Sequence, residues 1–324
     1  MARMNSVQCY NPATMKAIRL LLLVVILAVS ATAQNPQNGR PAENQTISVN
    51  VDLVNVLFTV ADKKGKFVTS LTKDDFRIFE DNKLQTITNF SNETDLPLTI
   101  SLLVDTSGSI RDKLRFEQEA AIEFFYSAIK KNKDKASVIT FDSGVDLLQD
   151  FTDEPEQLAD AVRKIRAGGG TSLYDAIYLA VTEKLSKQPG RRVIILISDG
   201  DDNSSRISLT ETLEAAQRSD VTIYAISTNN TAYFGSNEQE RGDKTLKKFS
   251  EETGGKTFFP FKLEELAANF QDISTELRSQ YQMAYMSGND KADGTFRRIR
   301  IEVNNKQLAA KSRTGYYAPR AAVR

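Results

Sequence analysis

The sequence predicts an α/β protein: a doubly wound, Rossmann-like domain inserted between N- and C-terminal β segments that together form a small β-sandwich. Three observations predict it. Between residues 96 and 277, wholly apolar runs such as 193–198 alternate with helical patterns; strands of a parallel sheet covered on both faces read this way. On either side of that stretch, short runs alternate apolar and polar residues with turn residues between them, the mark of half-buried antiparallel strands. The length, 324 residues, allows about two such domains.

The first 33 residues read as a signal peptide. Lys16 and Arg19 precede an apolar run over 20–29, and Ala31-Thr32-Ala33 offers a small-residue cleavage site. Cleavage there gives an exported protein, periplasmic or secreted, with no membrane span. Left uncleaved, 17–33 would act as an anchor. Met15 is a more conventional start than Met1, because it leaves a short basic leader. Residues 34–45 are polar, with Pro and Gly, and are expected to be disordered. The only cysteine, Cys9, precedes the apolar run, so the mature chain is expected to have no disulfide.

From 46 to 95, alternation over 49–60, 76–80 and 84–90 predicts three strands, with turns at 63–66 and Asp81-Asn82. Three strands do not close a stable sandwich. The missing ones are expected at the other end, where 281–285, 295–303 and 314–317 alternate. The sandwich is thus expected from 46–95 plus 280–318, followed by a tail at 319–324. Within 96–277, strands are expected at 98–104, 136–141, 145–148, 193–198 and 221–227. Helices are expected over 112–130, 155–165, 172–185, 209–218 and 263–278. Pro155 suits a helix start because its fixed φ is already helical. The polar stretch 237–244 reads as a loop.

Composition narrows the chemistry. There is no histidine, which excludes Ser-His-Asp and Cys-His catalysis and His-based zinc sites. Formal net charge is zero, so the basic footprint of a nucleic-acid binder is missing. Oxygen remains as the metal ligand, and oxygen favours Mg²⁺, Ca²⁺ or Mn²⁺. One constellation uses it. Asp105, Ser107 and Ser109 directly follow the first apolar strand. Thr171 follows three glycines, and Asp199 ends the 193–198 strand. Ligands of open α/β sheets bind beyond the carboxyl ends of strands, so the predicted sheet would bring these five residues to one edge. A carboxylate and two hydroxyls from one loop, with Thr171 and Asp199 directly or through water, suit Mg²⁺, which keeps waters readily. Two carboxylates leave the ion electropositive, with a position that a partner protein's Asp or Glu could take.

Asp105-Thr106-Ser107-Gly108-Ser109, Thr171 in Gly-Gly-Thr-Ser-Leu-Tyr-Asp, and Ser198-Asp199-Gly200 resemble the metal-ion-dependent adhesion site of von Willebrand factor A domains, integrin inserted domains included. The resemblance covers about residues 96–277. The export signal, the β-rich N-terminal segment and the Tyr-Tyr-Ala-Pro ending also resemble the acidobacterial group of exported A-domain-related proteins. What this implies is a Rossmann-like sheet, one divalent ion at its top, metal-mediated protein binding and no enzyme activity. The alternatives are a structural envelope protein with a fold-stabilising metal and, ranked lower, a metal-dependent hydrolase.

Other motifs have plainer readings. Asp201 and Asp202 are expected to be solvated loop charges, and Asp175 a first-turn helix residue beside the dipole. Arg241-Gly242-Asp243 matches the integrin-binding tripeptide, but three common residues carry little information. The basic run 130–135 is expected to follow a helix C-terminus. Tyr281, Tyr285, Tyr316 and Tyr317 are expected to pack the sandwich.

Overall fold

The computed structural model describes residues 53–92, 96–108, 113–229, 237–260, 262 and 265–320. The expected signal peptide, the expected leader and Ser109 lie outside the described residues. The chain divides into residues 1–50 and one compact unit, Val51–Arg324, which carries all of the described elements.

The central sheet is built from runs that are apolar at nearly every position. β5 (Leu98–Asp105) is buried at all eight. β6 (Lys135–Phe141) and β8 (Arg191–Ser198) flank it, β9 (Val221–Ser227) follows β8, and β10 (Thr257–Phe258) closes that edge; all of these pair in parallel. Successive side chains of a strand point to opposite faces, so β5 feeds two cores. Leu98, Ile100, Leu102 and Val104 enter one with α1 (Leu114–Ala128), α2 (Pro155–Arg163) and α6 (Glu265–Arg278). Leu103 enters the other with α3 (Leu173–Leu179), α4 (Leu209–Arg218) and α5 (Asn237–Thr253). Helices on both faces of a mainly parallel sheet make the doubly wound layer expected from the sequence.

The structure departs from the sequence reading in several elements. β7 (Val145–Thr152) pairs antiparallel with β6 and makes the sheet mixed. Only Asp142-Ser143-Gly144 separates the two strands, and a link that short permits a hairpin but no parallel crossover. The helix expected over 172–185 is α-helical only to Leu179, then takes a π turn over Ala180–Lys184 and a 3₁₀ turn over Leu185–Lys187. The stretch 237–244, read as a loop, is the start of α5.

The flanking segments form two four-stranded sheets. One has the order β13-β1-β11-β4 and the other β14-β12-β2-β3. Their strands are β1 (Leu53–Asp62), β2 (Phe76–Glu80), β3 (Lys83–Gln85) and β4 (Ile87–Ser91) before the insertion. After it come β11 (Tyr281–Met286), β12 (Phe296–Val303), β13 (Leu308–Ser312) and β14 (Gly315–Tyr317). Both sheets mix strands from the two sides, through β1–β11 and β2–β12 pairing. The run expected as a single strand over 84–90 is β3 and β4, which belong to different sheets, and β13 was not anticipated. Val56, Phe58, Ile78, Met283 and Tyr285 fill the space between the sheets, and the Phe58 ring stacks on Tyr281 at 5.2 Å. The tyrosine hydroxyls are satisfied inside. Tyr281 donates to the Val68 carbonyl at 2.8 Å, while Tyr285 and Tyr316 donate to Glu80 at 2.8 and 2.9 Å. Buried Glu80 also accepts from Ser287 and lies 3.7 Å from buried Arg297. No helix among the described residues is long and apolar enough to cross a membrane.

Candidate metal centre

The carboxyl ends of β5 and β8 carry the two acidic residues that the sequence singled out. Asp105 closes β5 and is fully buried. Its Oδ1 accepts from the Ser107 backbone N–H at 2.9 Å, which turns the chain back over the carboxylate. Its Oδ2 accepts from the Ser198 hydroxyl at 2.8 Å. Ser198 is the last residue of β8 and immediately precedes Asp199. One hydrogen bond thus ties the first ligand loop to the strand end that carries Asp199. Sequence reasoning gave Ser198 no role of its own.

Thr171 reaches the same edge through its backbone. Its carbonyl accepts from the N–H groups of Asn203 and Ser204, at 3.0 and 3.1 Å. Its own N–H donates to Asn203 Oδ1 at 3.0 Å. The loop after Asp199 therefore clamps Thr171 on both sides. The glycines before it connect back to the first loop, since the Gly168 N–H donates to the Thr106 carbonyl at 2.6 Å. A Cβ at Gly170 would stand 2.8 Å from Ser204 Oγ, so the two loops pass closely there. Ser107 and Thr171 are both buried. The structure brings Asp105, Ser107, Thr171 and Asp199 to one sheet edge; Ser109 lies outside the described residues.

The residues around this edge work for it structurally. Asp202 is not a solvated charge: its Oδ1 accepts from the Tyr174 N–H at the start of α3 and from the Ser205 hydroxyl. Asp175, in the first turn of α3, accepts from the Arg206 and Ile207 N–H groups, each at 3.0 Å. Arg241-Gly242-Asp243 lies within α5, where Gly242 faces Gly200. A Cβ on Gly242 would stand 2.2 Å from the Asp199 carbonyl oxygen, and one on Gly200 would stand 2.2 Å from the Gly242 carbonyl oxygen. Asp243 accepts from the Ser227 hydroxyl and the Asn229 side-chain amide, and that amide also donates to the Asp199 carbonyl. The tripeptide is a packing device behind the Asp199 loop. Tyr174, Asp201, Asp202, Arg241 and Thr245 line a cavity of about 480 Å³ beside that loop.

Electrostatics set the Asp105 carboxyl apart. Burial lifts the Asp105 carboxyl from its ordinary 3.8 to about 6; the charge of Asp199 adds to the rise, while hydrogen bonds from Ser107 and Ser198 oppose it. Among the described residues no three His, Cys, Asp or Glu side chains converge as a chelate, so a cation at this edge would need hydroxyls and waters beside the carboxylates. Such an all-oxygen donor set fits a hard divalent cation and does not fit a soft one.

The sequence model of the von Willebrand factor type A domain matches residues 99–276, more than half of the chain. The match stops short of the terminal β segments, on which the narrower acidobacterial likeness rests. No curated protein matches the sequence. Among solved structures, an aerotolerance-related membrane protein from Bacteroides fragilis is similar at 14% identity and a TM-score of 0.45, over 56% of this chain and 98% of that one. The vWF domain of the type V pili tip protein Mfa5 from Porphyromonas gingivalis has 13% identity and a TM-score of 0.45, over 56% and 95%. Proximal thread matrix protein 1 from the mussel byssus, solved with a zinc-occupied MIDAS motif, has 18% identity and a TM-score of 0.46 over 62% of this chain; this chain spans only 50% of that protein. By the extent of the sequence match, the chain belongs to the von Willebrand factor type A domain family.

Proposed function

We propose that this is an exported binding module that holds one divalent cation, Mg²⁺ ahead of Ca²⁺ or Mn²⁺, and uses it to capture the Asp or Glu carboxylate of a partner protein. The ligands are Asp105, Ser107, Ser109, Thr171 and Asp199. The observation that carries this reading is the hydrogen-bonded convergence of three loops on one sheet edge around the buried Asp105 carboxylate. Each residue has its task. Asp105 contributes charge at a fixed position, since both of its oxygens are oriented by hydrogen bonds. The Asn203 and Ser204 amides hold Thr171, and Asn229 holds the Asp199 backbone. A bound cation would supply the positive charge that a partner's carboxylate recognises. Export rests on the leader pattern in residues 1–33.

Thermal unfolding with and without cation tests the reading. At a hundredfold excess over its Kd, a cation binding only the folded state adds about 2.7 kcal/mol, or roughly 5–10 °C in Tm for a domain of this size. Asp105→Ala should remove the shift, and EDTA should release a carboxylate-bearing protein ligand. A wild-type Tm that none of the three cations moves would overturn the proposal.

A further inference from the structure

One buried acid at this end of the domain has no part in the ligand set. Glu117 lies in the first turn of α1, is only 2% exposed, and both of its carboxylate oxygens lack a hydrogen-bond partner. It stands on the helix's apolar stripe with Ala120, Ala121, Phe124 and Ala128. A side chain without polar atoms would pack there at far lower cost, because an unsatisfied buried carboxylate is expensive. A buried, unsatisfied polar group therefore calls for a use.

The charges around Glu117 point to that use. After burial, the effects acting on it are repulsion from Asp105, attraction to Lys113 and repulsion from Asp199, and the balance pushes its carboxyl up to about 8. Lys113, one helical turn earlier, donates its ammonium to the Thr228 carbonyl. The Thr228 N–H in turn donates to the Ser198 carbonyl at 3.1 Å, so Lys113 is anchored at the same strand ends. Among the described residues the three acids do not converge as a chelate.

We infer that Glu117 is a further residue of the cation site: its buried, unsatisfied carboxylate adds negative charge behind the Asp105 strand end from the first turn of α1. It acts through its charge and not by holding a ligand, and the inference rests on the metal reading proposed for this edge. Partners of ligands that do not themselves bind the ion typically change its affinity about 10–100-fold.

The test is calorimetric titration of Mn²⁺ into the full chain as wild type, Asp105→Ala, Glu117→Gln and Glu117→Met, with the Tm of each metal-free protein. Wild type should bind and Asp105→Ala should not. Glu117→Gln and Glu117→Met should bind about 10–100-fold more weakly while melting, metal-free, at or above the wild-type temperature. Loss of affinity with gain of metal-free stability is a pattern that a merely structural residue does not give. Glu117 variants that bind within twofold of wild type would overturn this inference and leave the metal reading standing. Variants that both fail to fold would make the carboxylate structural and also overturn it. A wild type that binds no Mn²⁺ would overturn the metal reading and the inference together.

Discussion

Gly242→Ala offers a sharp test of how the site is built, because two effects of opposite sign compete. Gly242 lies inside α5. At an exposed helix interior, replacing glycine by alanine stabilises by about 1 kcal/mol. Here the new methyl would meet the Asp199 carbonyl oxygen at 2.2 Å. That atom is backbone, so no rotamer change relieves the contact; either α5 or the Asp199 loop must shift. Overpacking of this kind costs about 1–3 kcal/mol, occasionally more. Subtracting the propensity gain leaves a net loss of about 0–2 kcal/mol, and the backbone contact at 2.2 Å places it toward the upper end. Tm should fall by roughly 2–8 °C, and urea unfolding should show a lower midpoint at unchanged slope. Because the displaced atom belongs to Asp199, the cation-induced Tm shift should also shrink. A Gly242→Ala protein that is more stable than wild type, with its cation response intact, would refute the packing argument.

Three further outcomes are expected. Folding raises the Glu117 carboxyl above its ordinary 4.5, to about 8, so the folded state favours the protonated form. Metal-free stability should therefore be unaffected by this group below pH 4.5 and decline between pH 4.5 and 8, by at most about 1.4 kcal/mol per pH unit; Glu117→Gln should flatten that part of the urea-midpoint profile, and an unchanged slope contradicts the assignment. Arg297→Ala removes the buried cation beside Glu80 and should cost about 3 kcal/mol in urea unfolding; a loss under about 1 kcal/mol would mean that the tyrosine and serine hydroxyls alone satisfy Glu80. Asp202→Ala takes an acceptor from the N-terminus of α3 and should cost about 1 kcal/mol, with wild-type stability as the contrary result.

Much of the domain was legible because buried parallel strands carry long apolar runs. β8 and β9 announce themselves in this way, and Asp105 and Asp199 stand out because each sits at the carboxyl end of such a run. α5 was not legible for a physical reason. Its buried stripe is Gly242, Leu246, Phe249, Ser250 and Thr253, so the helical spacing is present but small and polar residues occupy half of it. A glycine inside a helix argues against the helix until its packing partner, the Gly200 turn, is seen. β3 and β4 share one alternating pattern, and only tertiary pairing reveals that the chain changes sheets at Thr86. The three-residue link that makes β7 antiparallel was readable but outweighed by the parallel pattern around it. At the site, the clamp on Thr171 uses backbone groups that no side-chain pattern reports. Glu117 did leave a signal: it is the one charged residue on an otherwise apolar helical stripe.

On the reading proposed above, three loops hold one hard cation at the carboxyl edge of the sheet. Anomalous diffraction from a crystal of the full chain grown with Mn²⁺ tests it most directly. A single peak is expected among Asp105, Ser107, Ser109, Thr171 and Asp199, with oxygen neighbours at about 2.0–2.6 Å. A crystal that binds Mn²⁺ elsewhere, or leaves these five residues without a peak, would contradict it.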